Sequence, residues 1–258
     1  MNAVSKFEGA IAEYLKVRPE DIVCCNNGTS ALIATLKGFD IQDTYVATSP
    51  FSFPATTNSI LLTNNIPVFY DIERDGLLDF ERIYTSDEDI IFKNPEWTPK
   101  YILYPTLFDI IRVPDRSRFT NVIVDGAQSF SPSELWNEVD AVTFSFYKTK
   151  KLSTYEGGAI LCKNKEVNKK IRSIINQGQT SPWQFDELGY NFRMPEVIAE
   201  IGYLNLTTSR FGKTKTMRDG YYPFLIPDLP YMQKQPYICQ DDLTVARNIV
   251  QALKGLYG

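Results

Sequence analysis

Four short clusters hold the residue types from which a reaction could be built. Residues 27–32 read Asn-Gly-Thr-Ser-Ala-Leu and follow, after Asn26, on the apolar run Ile22-Val23-Cys24-Cys25. There a glycine permits close backbone approach, hydroxyls can donate, and the open N–H groups of a starting helix favour a phosphate. An ordinary helix cap accounts for the same residues. Asp125 ends the apolar run Val122-Ile123-Val124, and Gln128 lies three residues on; this is either an acid and an amide at a strand end, or a capped turn. Ser145 ends a third run, with Lys148, Lys150 and Lys151 just beyond and the pair Gly157-Gly158 opening the next apolar stretch. Three lysines so close together also suit a solvated loop. The fourth cluster, Gly189-Tyr190-Asn191-Phe192-Arg193-Met194-Pro195-Glu196, reads as a loop that starts a helix. The chain has no histidine, so histidine triads, histidine-bound metals and imidazole proton relays are excluded. Acid–base work falls to Lys, Asp, Glu, Tyr, Cys or a cofactor.

These clusters sit at the ends of short apolar runs, and the runs imply the scaffold. Strands are expected at 22–25, 45–47, 67–70, 101–104, 122–124, 141–144 and 158–162, with helices at 7–17 and 30–39. Short strands that are apolar on both sides and separated by helices predict an α/β fold with a mainly parallel sheet covered on both faces. In such sheets ligands bind beyond the carboxyl ends of the strands, where the clusters fall. The stretch 221–236 is rich in Pro and aromatics and lacks periodicity; a short strand at 237–239 and a closing helix over 242–256 follow. The expected organisation is a large domain over 1–220 and a much reduced C-terminal lobe over 221–258.

Composition narrows the function classes. The chain has 258 residues, 27 Lys and Arg against 31 Asp and Glu, and a net charge of −4. That balance argues against a protein built to grip nucleic acid or an acidic membrane surface. The 4 cysteines show no CxxC spacing, which gives no support to a metal site, and Cys24-Cys25 reads as buried thiols in a strand. No apolar stretch reaches the ~18 residues of a membrane span, and the first residues have no signal-peptide core. The expected setting is cytoplasmic.

Taken in order, the clusters resemble the sugar aminotransferases of the DegT/DnrJ/EryC1/StrS family, within the fold-type I pyridoxal-phosphate enzymes. The sequence carries GTSAL at Gly28, SPFSFPAT at Ser49, DGAQ at Asp125, SFYKTKKLSTYEGG at Ser145 and GYNFRM at Gly189; the stretch 66–72 is also similar. The resemblance covers roughly residues 5–220. It implies pyridoxal 5′-phosphate as cofactor and Lys150 as the residue that forms the internal aldimine and shuttles the proton. The family's spacing of five from Ser145 selects Lys150, leaving Lys148 and Lys151 as surface charges or contacts to a substrate phosphate. The resemblance further implies that Asp125 pairs with the pyridine nitrogen, Gln128 bonds the ring oxygen, Phe53 stacks on the ring, and Thr29, Ser30 and Ser145 hold the phosphate. Asn191 would reach the phosphate of a partner subunit, giving a homodimer with shared active sites.

The implied reaction transfers an amino group from L-glutamate to a keto sugar, most simply a nucleotide-linked one. Related dehydratases replace the lysine with histidine, which this chain lacks. A non-catalytic pyridoxal-phosphate-binding or regulatory relative stays open as the alternative. Two departures from the family pattern stand out. Tyr155 replaces a glycine before Glu-Gly-Gly and is expected to narrow or reshape the substrate pocket, and the region after residue 220 is short.

Overall fold

The computed structural model describes residues 2–84, 98–213, 222–240 and 242–257. The first half runs α1 (Ala3–Leu15), β1 (Ile22–Cys25), α2 (Gly28–Gly38), β2 (Tyr45–Thr48), α3 (Pro54–Leu62), β3 (Ile66–Phe69), β4 (Tyr101–Pro105) and β5 (Asn121–Asp125). Then come β6 (Ala141–Ser145), β7 (Gly158–Cys162), α4 (Lys165–Ile175), a small hairpin of β8 (Gln179–Ser181) and β9 (Gln184–Phe185), α5 (Glu196–Thr207), β10 (Ile238–Cys239) and α6 (Thr244–Tyr257). Helix α1 starts ahead of the expected residue 7 because Asn2 caps it, accepting the Ser5 N–H at 2.9 Å.

Eight strands form one sheet in the order β1-β7-β6-β5-β4-β2-β3-β10. β7 runs antiparallel to both β1 and β6, and the remaining pairs are parallel. The expected mainly parallel α/β sheet is therefore present. β7 is buried throughout, and β1 likewise, which follows from helices on both faces. On one face α1 and α5 pack over Phe7, Ile11 and Phe146. Gly202 makes that crossing possible, since a Cβ there would lie 2.4 Å from the Phe7 ring. On the other face α2 and α4 cover the sheet with Ala31, Ala34, Ile171 and Ile174, and α2 and α3 with Leu32, Leu36 and Ile60.

The tail joins this sheet. β10 pairs with β3 in parallel register, Ile238 opposite Val68. Helix α6 is held by the fully buried Asp71, whose carboxylate accepts the N–H groups of Val245 at 2.8 Å and Ala246 at 2.9 Å. Leu225, Ile226, Met232, Ala246 and Val250 close an apolar cluster with Phe51, Phe69 and Leu107. The boundary expected between residues 220 and 221 lies outside the described residues. Among the described residues no helix is long and apolar enough to cross a membrane.

The carboxyl ends of β1, β4, β5 and β6 lie at one edge of the sheet, together with the start of β7. Register fixes the neighbours there: Ser145 and Cys25 both stand opposite Gly158, and Asp125 stands between Pro105 and Thr143.

Candidate active site

At this edge opens a cavity of ≈ 780 Å³, within the ~300–1,000 Å³ range of small-molecule sites. The turn from β1 into α2 forms one wall. Asn27 caps the helix, its side-chain oxygen taking the Ser30 N–H at 2.8 Å, so the first turn is oriented with its N–H end at the rim. Two glycines allow this turn to nestle between strands. A Cβ on Gly28 would sit 2.8 Å from the Ser145 Cβ, and one on Gly158 would sit 2.6 Å from the Asn27 carbonyl. Thr29, Ser30 and Ser145 line the cavity beside them. Hydroxyls grouped at a helix N-terminus suit an anion with several oxygens.

Asp125 forms the floor at the end of β5. Its carboxylate accepts the Thr56 hydroxyl at 2.7 Å and the Ala127 N–H at 3.1 Å. Burial raises its pKa above the usual carboxylate range, opposed by those two hydrogen bonds and by the positive charge of Lys150. A buried acid held by two donors and open to the cavity is poised to face a cationic or protonated ligand nitrogen. Phe53, at the N-cap of α3, also lines the cavity with 59% of its surface open, an apolar face without a cover. Gln128 sits on the same wall, its amide N–H donating to the Tyr222 hydroxyl while its Oε1 is buried with no partner among the described residues.

The lysine loop leaves β6 and folds back on itself. Phe146 N–H bonds the Gly157 carbonyl at 2.8 Å, Thr154 N–H the Phe146 carbonyl at 2.9 Å, and Lys150 N–H the Tyr147 carbonyl at 2.8 Å. The three lysines part ways on this frame. Lys150 lines the cavity. Lys148 is exposed over the Tyr147 ring. Lys151, expected at the surface or on a substrate phosphate, also lines the cavity; it is partly buried and bound to Asp109 at 3.1 Å and Ser131 at 2.7 Å. The ion pair across the loop anchors Lys150's neighbour and so fixes the loop's direction.

The cavity thus gathers Lys150, Thr29, Ser30, Phe53, Asp125, Gln128 and Ser145. Asn191 is not among its lining residues; it is exposed, its backbone bridged to Asn176 beside the outer edge of β1. Tyr155, expected to narrow the pocket, is 70% exposed and does not line the cavity. It sits in the left-handed region at φ 67, a conformation glycine adopts without strain. Among the lining residues that the sequence did not point to are Thr56, Lys213 and Tyr222. Thr56 carried a signal, a hydroxyl one turn into the helix that Phe53 caps. Lys213 and Tyr222 carried none, because only the folded chain brings them to the cavity.

Comparison with known proteins adds the family. The chain matches the DegT/DnrJ/EryC1/StrS aminotransferase family over residues 2–86 and 122–251. It belongs to that family. A dTDP-4-amino-4,6-dideoxy-D-glucose transaminase from Shigella dysenteriae is 35% identical over 231 residues, covering 87% of this chain and 61% of that protein. The crystal structure of a DegT/DnrJ/EryC1/StrS aminotransferase from Brucella abortus superposes with a TM-score of 0.74 at 20% identity, over 99% of this chain and 90% of that one. The structure of NtdA from Bacillus subtilis with bound cofactor PMP gives 0.69 at 24% identity, over 80% and 48%. At these identities the two structures show that the fold is shared. Against the curated relatives it matches, this DegT-family chain spans 55–62% of their length.

Proposed function

We propose that the chain binds pyridoxal 5′-phosphate and transfers an amino group from L-glutamate to a keto sugar, nucleotide-linked as in the transaminase relative. The observation that carries this reading is that one cavity is lined by Lys150, by the buried Asp125, and by the hydroxyls and helix start of residues 28–30 with Ser145. A flat heteroaromatic ring with a phosphate, a basic ring nitrogen, a phenolic oxygen and an aldehyde uses each of these groups once. The unpartnered Gln128 Oε1 also fits, since a buried polar atom without a partner calls for a ligand.

When bound, the cofactor would supply an electron sink for breaking and making bonds at the carbon that carries the amine. The chain's residues supply the rest. Asp125 holds a proton on the ring nitrogen through its charge, and the Thr56 hydroxyl and Ala127 N–H keep that carboxylate in place. Lys150 is the attachment residue and, once free, carries the proton to and from the substrate carbon. Thr29, Ser30 and Ser145 anchor the phosphate, and Phe53 covers the ring. Lys213, a cation on the same cavity, suits the charge of a carboxylate or diphosphate on the substrate. The working unit in this reading is a homodimer in which the exposed Asn191 reaches the partner's phosphate site. The buried thiols of Cys24, Cys25 and Cys162 suit a reducing cytoplasm.

The test is spectroscopic. Protein reconstituted with pyridoxal phosphate should show the cofactor's bound absorbance band, L-glutamate should shift it, and a nucleotide-linked keto sugar should restore it. A band that forms but does not respond to any amino donor would favour the non-catalytic binding protein, and no band at all would end the cofactor reading.

A further inference from the structure

The sheet edge supplies Gln128, but the chain's tail holds it. Tyr222 lies 94 residues further along, and its hydroxyl accepts the hydrogen bond of the Gln128 amide. The tyrosine is itself well placed. Its ring meets Phe51 edge-on at 5.6 Å, Phe53 at 6.4 Å and Phe224 at 6.1 Å. The backbone just beyond is pinned where Ile226 N–H bonds the Pro50 carbonyl at 2.9 Å. Burial and the nearby Asp125 charge push the phenol's pKa up, so it stays a neutral hydroxyl through the physiological range.

One end of the Gln128 amide is therefore satisfied by the tail, and the other is buried without a partner among the described residues. Were the pair merely structural, the fold would be keeping an unsatisfied polar atom in the wall of this cavity at a cost in stability. We propose that Tyr222 is a positioning residue for the cofactor site: it holds one end of the Gln128 amide so that the other end is preset to bond the ring oxygen of pyridoxal phosphate. The two amide orientations have the same shape. In either one, Tyr222 takes one terminus and the ligand takes the other, because a hydroxyl and a phenolic oxygen can each donate or accept. Preorganisation of this kind strengthens binding by removing the freedom that Gln128 would otherwise lose when the ligand arrives. The tail thus works as part of the cofactor site as well as a cover on the sheet.

This inference rests on the pyridoxal-phosphate reading, and the experiment separates the two. Apoprotein is titrated with pyridoxal phosphate by absorbance and by quenching of intrinsic fluorescence, for wild type, Tyr222→Phe, Gln128→Ala and the double variant. Phenylalanine keeps the ring contacts, so apo Tyr222→Phe should still melt cooperatively, within the few degrees of wild type that one buried hydrogen bond carries, and so report an intact fold. Tyr222→Phe should weaken binding by about five- to tenfold, the scale of one hydrogen bond. The double variant should bind no more weakly than Gln128→Ala alone. The pH midpoint of the bound cofactor's absorbance change should move from the wild-type value in both single variants and no further in the double. Losses that add, an affinity within twofold of wild type in Tyr222→Phe, or tighter binding, which would mean the hydroxyl competes with the ligand for Gln128, each overturn the proposal while leaving the cofactor reading standing. Failure of wild type to take up pyridoxal phosphate overturns both.

Discussion

Asp125, Ser145 and the turn at Asn27–Ser30 owe their places to the strands and helix next to them in sequence, and the register of β1, β5, β6 and β7 brings them to one rim. Tyr222 reaches that rim across 94 residues, on a tail held by a two-residue strand and by Asp71 at the start of α6. The rim is built from strand ends that cannot move without breaking a buried sheet. The tail is docked by side-chain packing, a two-residue strand and the Asp71 hydrogen bonds, all contacts of long sequence separation. Chemistry that needs rigid placement should therefore depend on the rim, and the tail should tune it.

The largest effect should come from the rim. Lys150→Ala should abolish covalent fixation of pyridoxal phosphate by borohydride while leaving the fold intact. In wild type, peptide mapping should find the cofactor on Lys150; finding it on Lys148 or Lys151 would break the assignment. The same variant tests sharing between subunits. A dimer mixed from Lys150→Ala and Asn191→Ala chains has one site lacking both groups and one site with both. It should regain about half of wild-type activity, because a two-fold interface repeats the same composite site. With mixed dimers shown to form, no recovery would mean that Asn191 acts within its own chain.

Asp125→Asn comes next and should act in opposite directions on function and stability. A neutral partner cannot hold the ring-nitrogen proton, so transamination should fall roughly ten- to hundredfold, the worth of one charge-assisted hydrogen bond at about 1.5–3 kcal/mol. Stability of the apoprotein should not fall with it. Burial raises the Asp125 pKa, so the folded state holds this proton more tightly than the unfolded chain does. Its contribution to stability is then lost as pH rises from about 4, the unfolded carboxylate value, through the raised folded value. Asparagine removes that titration. Thermal melts of the apo variant should equal or exceed wild type at pH 7 and vary less between pH 4 and 7. A variant that is destabilised at pH 7 would show that the carboxylate is a structural group first.

The contrast between rim and tail also explains what could be read in advance. Every expected strand lies within or overlaps one observed in the sheet, since a fully buried strand announces itself as a run of apolar residues. The rim residues were legible because polar residues directly after such runs fall at strand ends. The pairing of Lys151 was not legible because its partner Asp109 lies 42 residues away, and nothing local distinguishes a paired lysine from a solvated one. The hairpin of β8 and β9 is polar and largely exposed, so it left no apolar pattern to follow. Tyr222 and Lys213 belong with Lys151: their roles are set by contacts that only the fold creates.

Asp71→Asn tests whether the tail tunes the rim. Asp71 accepts from Val245, Ala246 and Ile72, and the Arg82 guanidinium lies 3.6 Å away. An amide cannot accept with its nitrogen, so at least one buried N–H loses its partner, at a cost of about 1–2 kcal/mol. That amounts to a drop of a few degrees in melting temperature for a chain of this size. Affinity for pyridoxal phosphate should weaken alongside, as Tyr222 loosens from Gln128. A lower melting temperature with unchanged affinity would mean that tail and rim are uncoupled.

The smallest effect should come from Tyr155, where the chain departs from the family's glycine. Its side chain is 70% exposed and outside the cavity, so removing it should forfeit little packing. Its backbone lies at φ 67, where a side chain costs about 1–2 kcal/mol that glycine avoids. Glycine gives back part of that gain through the extra freedom of the unfolded chain, about 0.5–1 kcal/mol. The hydrogen bonds that knit the loop here, Lys148 N–H to the Tyr155 carbonyl at 3.1 Å and Tyr155 N–H to the Ser153 hydroxyl at 3.2 Å, survive the change. Tyr155→Gly should therefore raise the melting temperature by roughly 1–3 °C, given about 2–4 °C per kcal/mol at this chain length. It should leave pyridoxal-phosphate affinity within twofold of wild type. A lowered melting temperature, or a loss of affinity for the cofactor, would show that the ring is used: against the loop in the first case, and at the site, directly or from the partner subunit's side, in the second.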